Sequence, residues 1–319
     1  MKGELLLRRI PFALLAFSFV SGAWPIARHP GDIGVPVGLI NATVRVRAIG
    51  FGLGTGTVID VKPDASGPGG WLCVLTADHV VGHGTDGWQV GFGNGTGAGP
   101  WQYNAPLMFR GPFDPAGGTW VDLALLGVRV NDLTTLPALT MPTPAAPVTP
   151  GVIQKGFGDT GTIGAPREYD IVAGFGTYRN GRNTIDATPI KEIGDPATGK
   201  NYRYVSLEGD LDFLPPAPGA WPPDAGESHF LSGDSGGPSV QQDPSSGQWL
   251  LVGVHSASQT NVGYTRVVEG SLWWDVRVGS YLNWVESSCA AVPEPASLVA
   301  VLAGVLSVMV GRRRRARGS

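Results

Sequence analysis

Short apolar runs separated by glycine-rich turns dominate the first half of the chain. These runs occupy residues 43–49, 56–61, 72–76, 88–92 and 123–130. Their even spacing is typical of antiparallel strands that close into a small barrel. The pattern therefore predicts a first barrel over about residues 35–140.

A proline-rich connector separates this region from a second set of strands. Residues 137–150 hold five prolines and no charge, and the next apolar runs are 152–155, 169–174, 202–207, 239–242, 249–255 and 264–268. We predict a second barrel over about 150–275, with long loops at 191–199 and 214–223. The spacing of Val278, Leu282 and Val285 predicts a terminal helix over about 275–288. With 48 glycines, 27 prolines and 15% charged residues in 319, the composition favours an all-β protein.

Both ends of the chain carry segments with the pattern of targeting signals. Lys2, Arg8 and Arg9 precede an apolar run at 10–20 and small residues at 21–23. This pattern predicts a signal peptide over 1–23, with a permanent membrane anchor as the alternative. At the other end, an apolar run at 296–310 is followed by five arginines, which stay on the cytoplasmic side of a membrane.

Segment 292–319 begins with Pro293-Glu294-Pro295 and resembles the PEP-CTERM sorting signal of certain Gram-negative bacteria. The resemblance implies transient inner-membrane association and cleavage by an exosortase-type processing enzyme, so the protein would reach the cell surface or the medium. A plain tail anchor is the alternative. Residues 24–291 carry 15 basic and 24 acidic side chains, a net charge of −9, which argues against nucleic acid or anionic lipid as a partner.

Three motifs carry the candidate chemistry. They are Gly-Asp-Ser-Gly-Gly-Pro at 233–238, Thr-Ala-Asp-His-Val at 76–80 and Val-Asp-Leu-Ala-Leu-Leu at 121–126. A serine hydroxyl is a weak nucleophile, so it needs a nearby base, and the base needs an orienting group. A histidine, then an aspartate, then a glycine-framed serine supplies these parts in the order of the chymotrypsin-type triad, a worked example among serine hydrolases.

The three motifs closely resemble those of the trypsin-like serine proteases. The resemblance implies two six-stranded antiparallel β-barrels with a C-terminal helix, spanning residues 24–291. It makes His79 the general base, Asp122 its orienting group and Ser235 the nucleophile, with the N–H groups of Gly233 and Ser235 as the oxyanion hole. A protein or peptide is then the substrate, and no cofactor or metal is expected, because the histidines and cysteines show no ligand spacing.

The resemblance also places a substrate pocket, but it leaves the preference open. The positions it assigns to substrate binding are His229, Ser232, His255, Ser256, Ser258 and Val262. His255, Ser232 and Ser258 resemble the set that receives an acidic side chain in glutamyl endopeptidases. The alternative, which we favour slightly, is that His255 is a satisfied core histidine and the pocket takes small apolar residues.

The resemblance also bears on the partner of Asp234 and on the two cysteines. In zymogens of the trypsin-like family, the aspartate that matches Asp234 pairs with a new N-terminal ammonium, usually of an Ile or Val followed by glycines. No such sequence is visible between Trp24 and Val37, so Arg28, Arg45 or Arg47 could pair with Asp234 instead. Cys73 and Cys289 fall where the terminal helix of the family packs on the first barrel. This predicts one disulfide, with two buried free thiols as the alternative.

Function classes other than a general peptidase also remain open. One is a catalytically silent surface or matrix binding module that kept the protease fold. Another is a chaperone-like periplasmic protease, although no binding module follows the catalytic part. The presence of all three triad residues favours an exported serine endopeptidase over the silent module.

Overall fold

The computed structural model describes residues 35–82, 87–93, 101–163, 168–172, 174–195, 199–212, 227–260 and 265–293, together with the backbone of 24–25. The predicted signal peptide and nearly all of the predicted sorting segment lie outside these residues, as do Arg28, Val262 and the predicted loop at 214–223. Among the described residues, no helix is long and apolar enough to cross a membrane.

Strands make up most of the described chain. In chain order they are β1 Trp24–Pro25, β2 Thr43–Ala48, β3 Gly52–Pro63, β4 Gly70–Thr76, β5 Trp88–Gly91, β6 Tyr103–Ala105, β7 Leu107–Arg110, β8 Phe113–Asp114, β9 Thr119–Trp120, β10 Ala124–Val130, β11 Thr143–Pro144, β12 Gly151–Gly156, β13 Thr160–Ile163, β14 Glu168–Val172, β15 Arg179–Thr184, β16 Ile190–Asp195, β17 Lys200–Gly209, β18 Pro238–Gln242, β19 Trp249–Ser258, β20 Arg266–Val268 and β21 Trp273–Arg277. The helices are α1 Val37–Asn41, α2 Asp78–Val81 and α3 Leu282–Ala291, with 3-10 turns at Leu133–Thr135 and Val278–Ser280.

The first barrel closes through one interrupted strand. Its sheet runs β6-β5-β2-β3-β4-β10-β7, so its two edges are β6 and β7. Only Pro106 separates these two strands in the chain. Proline lacks the N–H that a ladder needs, which interrupts a single strand and leaves its halves paired to opposite neighbours. The result is a closed barrel of six strands.

The second barrel follows the same plan. Strands pair in the order β15-β12-β18-β19-β21-β17. A bridge between Ala187, just after β15, and Glu208 in β17 closes the ring. A smaller sheet of β1, β13, β14 and β20 lies apart from this path. The predicted fold class, two antiparallel β-barrels of chymotrypsin-like type with a C-terminal helix, is confirmed.

Two predicted elements differ from the structure. The predicted loop at 191–199 contains strand β16, which pairs with β17 from Ile190↔Val205 to Asp195↔Lys200 as a hairpin. The predicted helix at 275–288 begins late, because Trp273–Arg277 form β21 and α3 starts at Leu282. The apolar spacing continued through a strand and a 3-10 turn, so periodicity alone placed the helix start too early.

A disulfide ties the last helix to the first barrel. Cys73 on β4 and Cys289 on α3 are bonded, with their Cα atoms 5.7 Å apart. Lys62 on β3 also donates to the Cys289 carbonyl at 2.7 Å, at the end of α3 where carbonyls lack helical partners. The alternative of two free thiols was wrong.

Candidate active site

Ser235 lies in a turn that has a glycine in the left-handed backbone conformation before it and another after it. Gly233 and Gly236 have φ of +87° and +81°, in the left-handed region. A Cβ on Gly236 would also lie 2.1 Å from Thr76 Oγ1. The Ser235 carbonyl accepts from Thr55 N at 2.8 Å, and Gly236 N donates to the His255 carbonyl at 2.7 Å. Strands β3 and β19, one from each barrel, therefore hold the serine in place.

Two backbone N–H groups of this turn are available to a ligand. Among the described residues, the N–H groups of Gly233 and Ser235 have no hydrogen-bond acceptor. The carbonyl of Gly233 is held by Thr55 Oγ1 at 3.0 Å, which fixes the turn from behind. Free, preorganised N–H groups next to a nucleophile are what a developing oxyanion requires.

His79 and Asp122 form a two-point contact. Asp122 accepts from the His79 backbone N–H at 2.9 Å, and its other oxygen lies 2.8 Å from Nδ1 of the ring. The Asp122 side chain is 2% exposed and that of His79 is 26% exposed. With Nδ1 committed to the carboxylate, Nε2 is the ring nitrogen left to act on another group.

Burial and pairing shift the pKa values of His79 and Asp122 in opposite directions. Burial lowers the pKa of His79, but the charge and hydrogen bond of Asp122 outweigh it, so the His79 pKa is raised. Burial likewise raises the pKa of Asp122, and His79 together with Ser256 reverses this, so the Asp122 pKa is lowered. The pair therefore favours a protonated imidazole beside an ionised carboxylate.

Gly54 packs closely against both α2 and the serine turn. A Cβ on Gly54 would lie 2.6 Å from the Val80 side chain on α2 and 2.8 Å from the Ser235 carbonyl. Among the described residues, no hydrogen bond joins the Ser235 hydroxyl to His79. Such contacts are often long without substrate and tighten in the complex.

A chain of hydroxyls supports Asp122 from the second barrel. The Ser256 hydroxyl donates to Asp122, and the buried Tyr204 OH donates to Ser256 at 2.7 Å. Ser256 was predicted only as a substrate-binding residue, and Tyr204 was missed. The available signal was a tyrosine within an apolar strand, because a buried phenol needs a hydrogen-bond partner.

A second buried network lies behind His79. Asp78 is fully buried, and one of its oxygens accepts from Lys200 at 2.7 Å and from the Tyr202 OH at 3.0 Å. Arg110 lies 3.8 Å from the other oxygen. Asp78 is on α2, whereas Lys200 and Tyr202 are on β17 of the second barrel. This cluster ties the histidine-bearing helix to the opposite barrel, and the sequence analysis did not anticipate it.

A cavity of about 320 Å³ opens beside Ser235. Of the predicted substrate-binding residues, Ser232, Ser256 and Ser258 line it. The other lining residues are Asp159, Ile171, Phe230, Leu231, Ala257 and Thr260. Val262 lies outside the described residues.

The two predicted pocket histidines are core residues. His255 is fully buried, its Nδ1 lies 2.8 Å from Asp275, and its ring stacks on Phe230 at 4.4 Å. His229 is 3% exposed, with its ring nitrogens 2.9 Å and 3.2 Å from the carbonyls of Phe230 and Leu272. Phe230 lines the cavity and stacks on His255, whose Nε2 is buried without a hydrogen-bond partner among the described residues. The acidic preference and its small-apolar alternative both stay predictions.

Asp234 is satisfied by the backbone. It is fully buried and accepts from Gly158 N at 2.6 Å and Leu231 N at 2.9 Å. Burial raises its pKa to about 6, although these amides, with His255 and Arg179, lower it. Arg45 donates to the Gly93 carbonyl, and Arg47 donates to Gln89, so neither is its partner as suggested.

One carboxyl cluster could supply oxygen ligands to a cation. Asp210, Asp212 and Glu227 have oxygens within 4.8 Å of one another. Burial raises the pKa of Glu227 to about 7. Asp60, Cys73 and Cys289 are also close together, but both sulfurs belong to the disulfide. The expectation that no metal or cofactor takes part stays a prediction.

Comparison with known proteins gives structural likeness only. No protein-family model and no curated protein matches the chain. It is similar to the solved Rv3671c protease in its inactive form, at 18% identity over 79% of this chain and 90% of that chain, with a TM-score of 0.44. It is also similar to the solved HL collagenase, at 17% identity over 85% of this chain and 99% of that chain, with a TM-score of 0.48. At this similarity, the fold assignment rests on the strand order and barrel closure described above.

Proposed function

We propose that this protein is an exported serine endopeptidase that cleaves peptide bonds through an acyl-enzyme intermediate. Two observations support the proposal together: the His79–Asp122 contact, and the position of Ser235 between two left-handed glycines at the border of a cavity. A structural aspartate–histidine pair alone would not require free N–H groups at the serine turn.

The chemistry follows from these positions. Nε2 of His79 takes the proton of the Ser235 hydroxyl while its oxygen attacks the substrate carbonyl. The N–H groups of Gly233 and Ser235 stabilise the oxyanion that forms. His79 then gives its proton to the leaving amine, and a water repeats the sequence to release the acid. Asp122 stays ionised throughout and holds the imidazole.

A fluorophosphonate probe tests this assignment directly. We expect the wild-type protein to be labelled at Ser235 and to hydrolyse peptides. The Ser235→Ala variant should lose labelling and lose turnover by about 10⁶-fold, as in subtilisin, with its fold retained. Ser287→Ala, an exposed serine on α3, is the matched control and should be labelled like the wild type.

The opposite result has a clear meaning. Peptide hydrolysis by purified, folded Ser235→Ala at the wild-type rate would remove the serine from the mechanism. A folded wild-type protein that neither reacts with the probe nor cleaves peptides would be a silent binding module.

A further inference from the structure

The cavity beside Ser235 is lined by apolar side chains, hydroxyls and an acidic group. Phe230, Leu231 and Ile171 supply apolar surface, and several serine and threonine hydroxyls complete the wall. Among the described lining residues, Asp159 is the acidic one. In related proteases the charged residue of the pocket comes from the segment before the nucleophile, a position that His229 occupies here. Asp159 instead follows the Gly156-Phe157-Gly158 turn after β12.

The backbone and one carboxylate oxygen of Asp159 are fixed. Its N–H donates to the Ser232 carbonyl at 2.7 Å, which places it beside the residue three positions before the nucleophile. Its Oδ1 accepts from Gly174 N at 3.0 Å. Among the described residues, Oδ2 has no hydrogen-bond or ion-pair partner. The carboxylate is therefore oriented at one oxygen and available at the other.

The charges around the cavity favour a cation. Arg179 is 7% exposed and donates to the carbonyls of Gly158, which precedes Asp159, and of Gly174, whose N–H binds Asp159. Burial lowers the pKa of Arg179, and the negative charges of Asp234 and Asp159 raise it. Two carboxyl groups therefore interact with this one guanidinium. Burial lowers the pKa of His229 to about 4, so this ring is neutral at neutral pH. Arg179 is not a lining residue, and among the described residues no Lys, Arg or His lines the cavity.

We propose that Asp159 makes this cavity the binding site for a lysine or arginine side chain on the acyl side of the cleaved bond. The aliphatic stem would pack on Phe230, Leu231 and Ile171, as long cationic side chains do on apolar surface. The charged head would pair with Oδ2 of Asp159 and donate to the hydroxyls of Ser258 and Thr260. The inference rests on the proposed peptidase function and differs from both preferences considered from the sequence.

Three fluorogenic peptides that differ only at this residue, carrying Lys, Leu or Glu, test the proposal. We expect kcat/KM to be highest for the Lys peptide. Asp159→Asn should lower the Lys-to-Leu ratio of kcat/KM by about 10- to 100-fold, because it removes a charge-assisted hydrogen bond. Asp170→Asn is the matched control, since Asp170 is an exposed neighbour on β14 that pairs with Arg266 at 3.0 Å.

Each outcome can be assigned. If the wild type labels with the fluorophosphonate but prefers the Leu or Glu peptide, or if Asp159→Asn keeps the Lys-to-Leu ratio, the inference is overturned and the peptidase stands. If the wild type neither labels nor cleaves, both fail. Agmatine, a small alkylguanidinium, gives a second measurement on the unaltered protein. It should compete with the Leu peptide, and the absence of competition would also overturn the inference.

Discussion

At the scale of single residues, two buried aspartates show how surroundings decide ionisation. Asp122 accepts from His79 twice and from Ser256, and its pKa is lowered although burial opposes this. Asp234 is also buried, but its hydrogen-bond donors are neutral backbone amides, and burial raises its pKa to about 6. A partner that can itself become charged offsets the desolvation of a carboxylate better than neutral donors do. Asp122 is therefore suited to hold a protonated imidazole.

Asp78 gives a residue-scale prediction about pH. Its charge, like those of Asp122 and Asp195, raises the pKa of His79. Asp78→Asn should therefore lower the His79 pKa. Because His79 must be neutral to accept the serine proton, the acid limb of the kcat/KM profile should move to lower pH. We also expect kcat/KM at its plateau to fall about 10-fold or more, since α2 loses its contact with Lys200 and Tyr202.

The control separates this effect from a general loss of an ion pair. Asp64 pairs with Arg129 at 2.6 Å in the same barrel, so Asp64→Asn should leave the acid limb in place. A drop in kcat/KM for Asp78→Asn with an unshifted acid limb would show that Asp78 only supports the helix.

At the scale of elements, the sequence predicted the buried strands well and the exposed ones poorly. The strands of the first barrel appear as apolar runs because their faces are buried. Strand β16 was taken for a loop because its positions alternate between exposed and half-buried, with Lys191, Glu192 and Asp195 in it. The three catalytic candidates were found because each lies in a recognisable local motif. Contacts such as Asp78–Lys200, 122 positions apart, depend on how the barrels dock and leave no local pattern.

The attachment of α3 gives the element-scale prediction. Replacing both Cys73 and Cys289 with alanine should lower the free energy of unfolding by about 2–5 kcal/mol, because the bond closes a long loop in the unfolded chain. Urea denaturation of the non-reduced proteins measures the difference. The wild type under reducing conditions is the control and should unfold at nearly the midpoint of the double variant. Equal midpoints for the oxidised wild type and the variant would contradict the prediction.

At the scale of the whole molecule, both barrels contribute to the candidate site. His79 and Asp122 come from the first barrel, while Ser235, Ser256 and Tyr204 come from the second. Hydrogen bonds that cross between barrels, such as Thr55 to Ser235 and Ser256 to Asp122, therefore assemble the site only when the barrels are docked. We expect activity and global folding to be lost together.

Maturation supplies the prediction at this scale. The tail pattern described from the sequence leads us to propose that the mature protein lacks residues 1–23 and the arginine run at 312–317. The arginines resist translocation, so the apolar run would stall in the inner membrane until a processing enzyme cuts near Pro293. Intact-mass measurement of protein from its native host tests this. A mature species ending at Ser319 would indicate a plain membrane anchor and contradict the sorting hypothesis.

The Cys73–Cys289 bond also bears on how the protein withstands tension. While the C-terminal segment is held in a membrane, a force on the protease domain is transmitted through the chain near Val292. This residue is fully buried at the end of the described fold. A helix loaded at its end would unwind turn by turn, since its hydrogen bonds would break one after another. Here the load passes within a few residues into a covalent bond and on to β4, which is paired on both sides. The bond thus places the mechanical anchor of the tail in the first barrel, and the part of α3 before Cys289 is bypassed together with the second barrel.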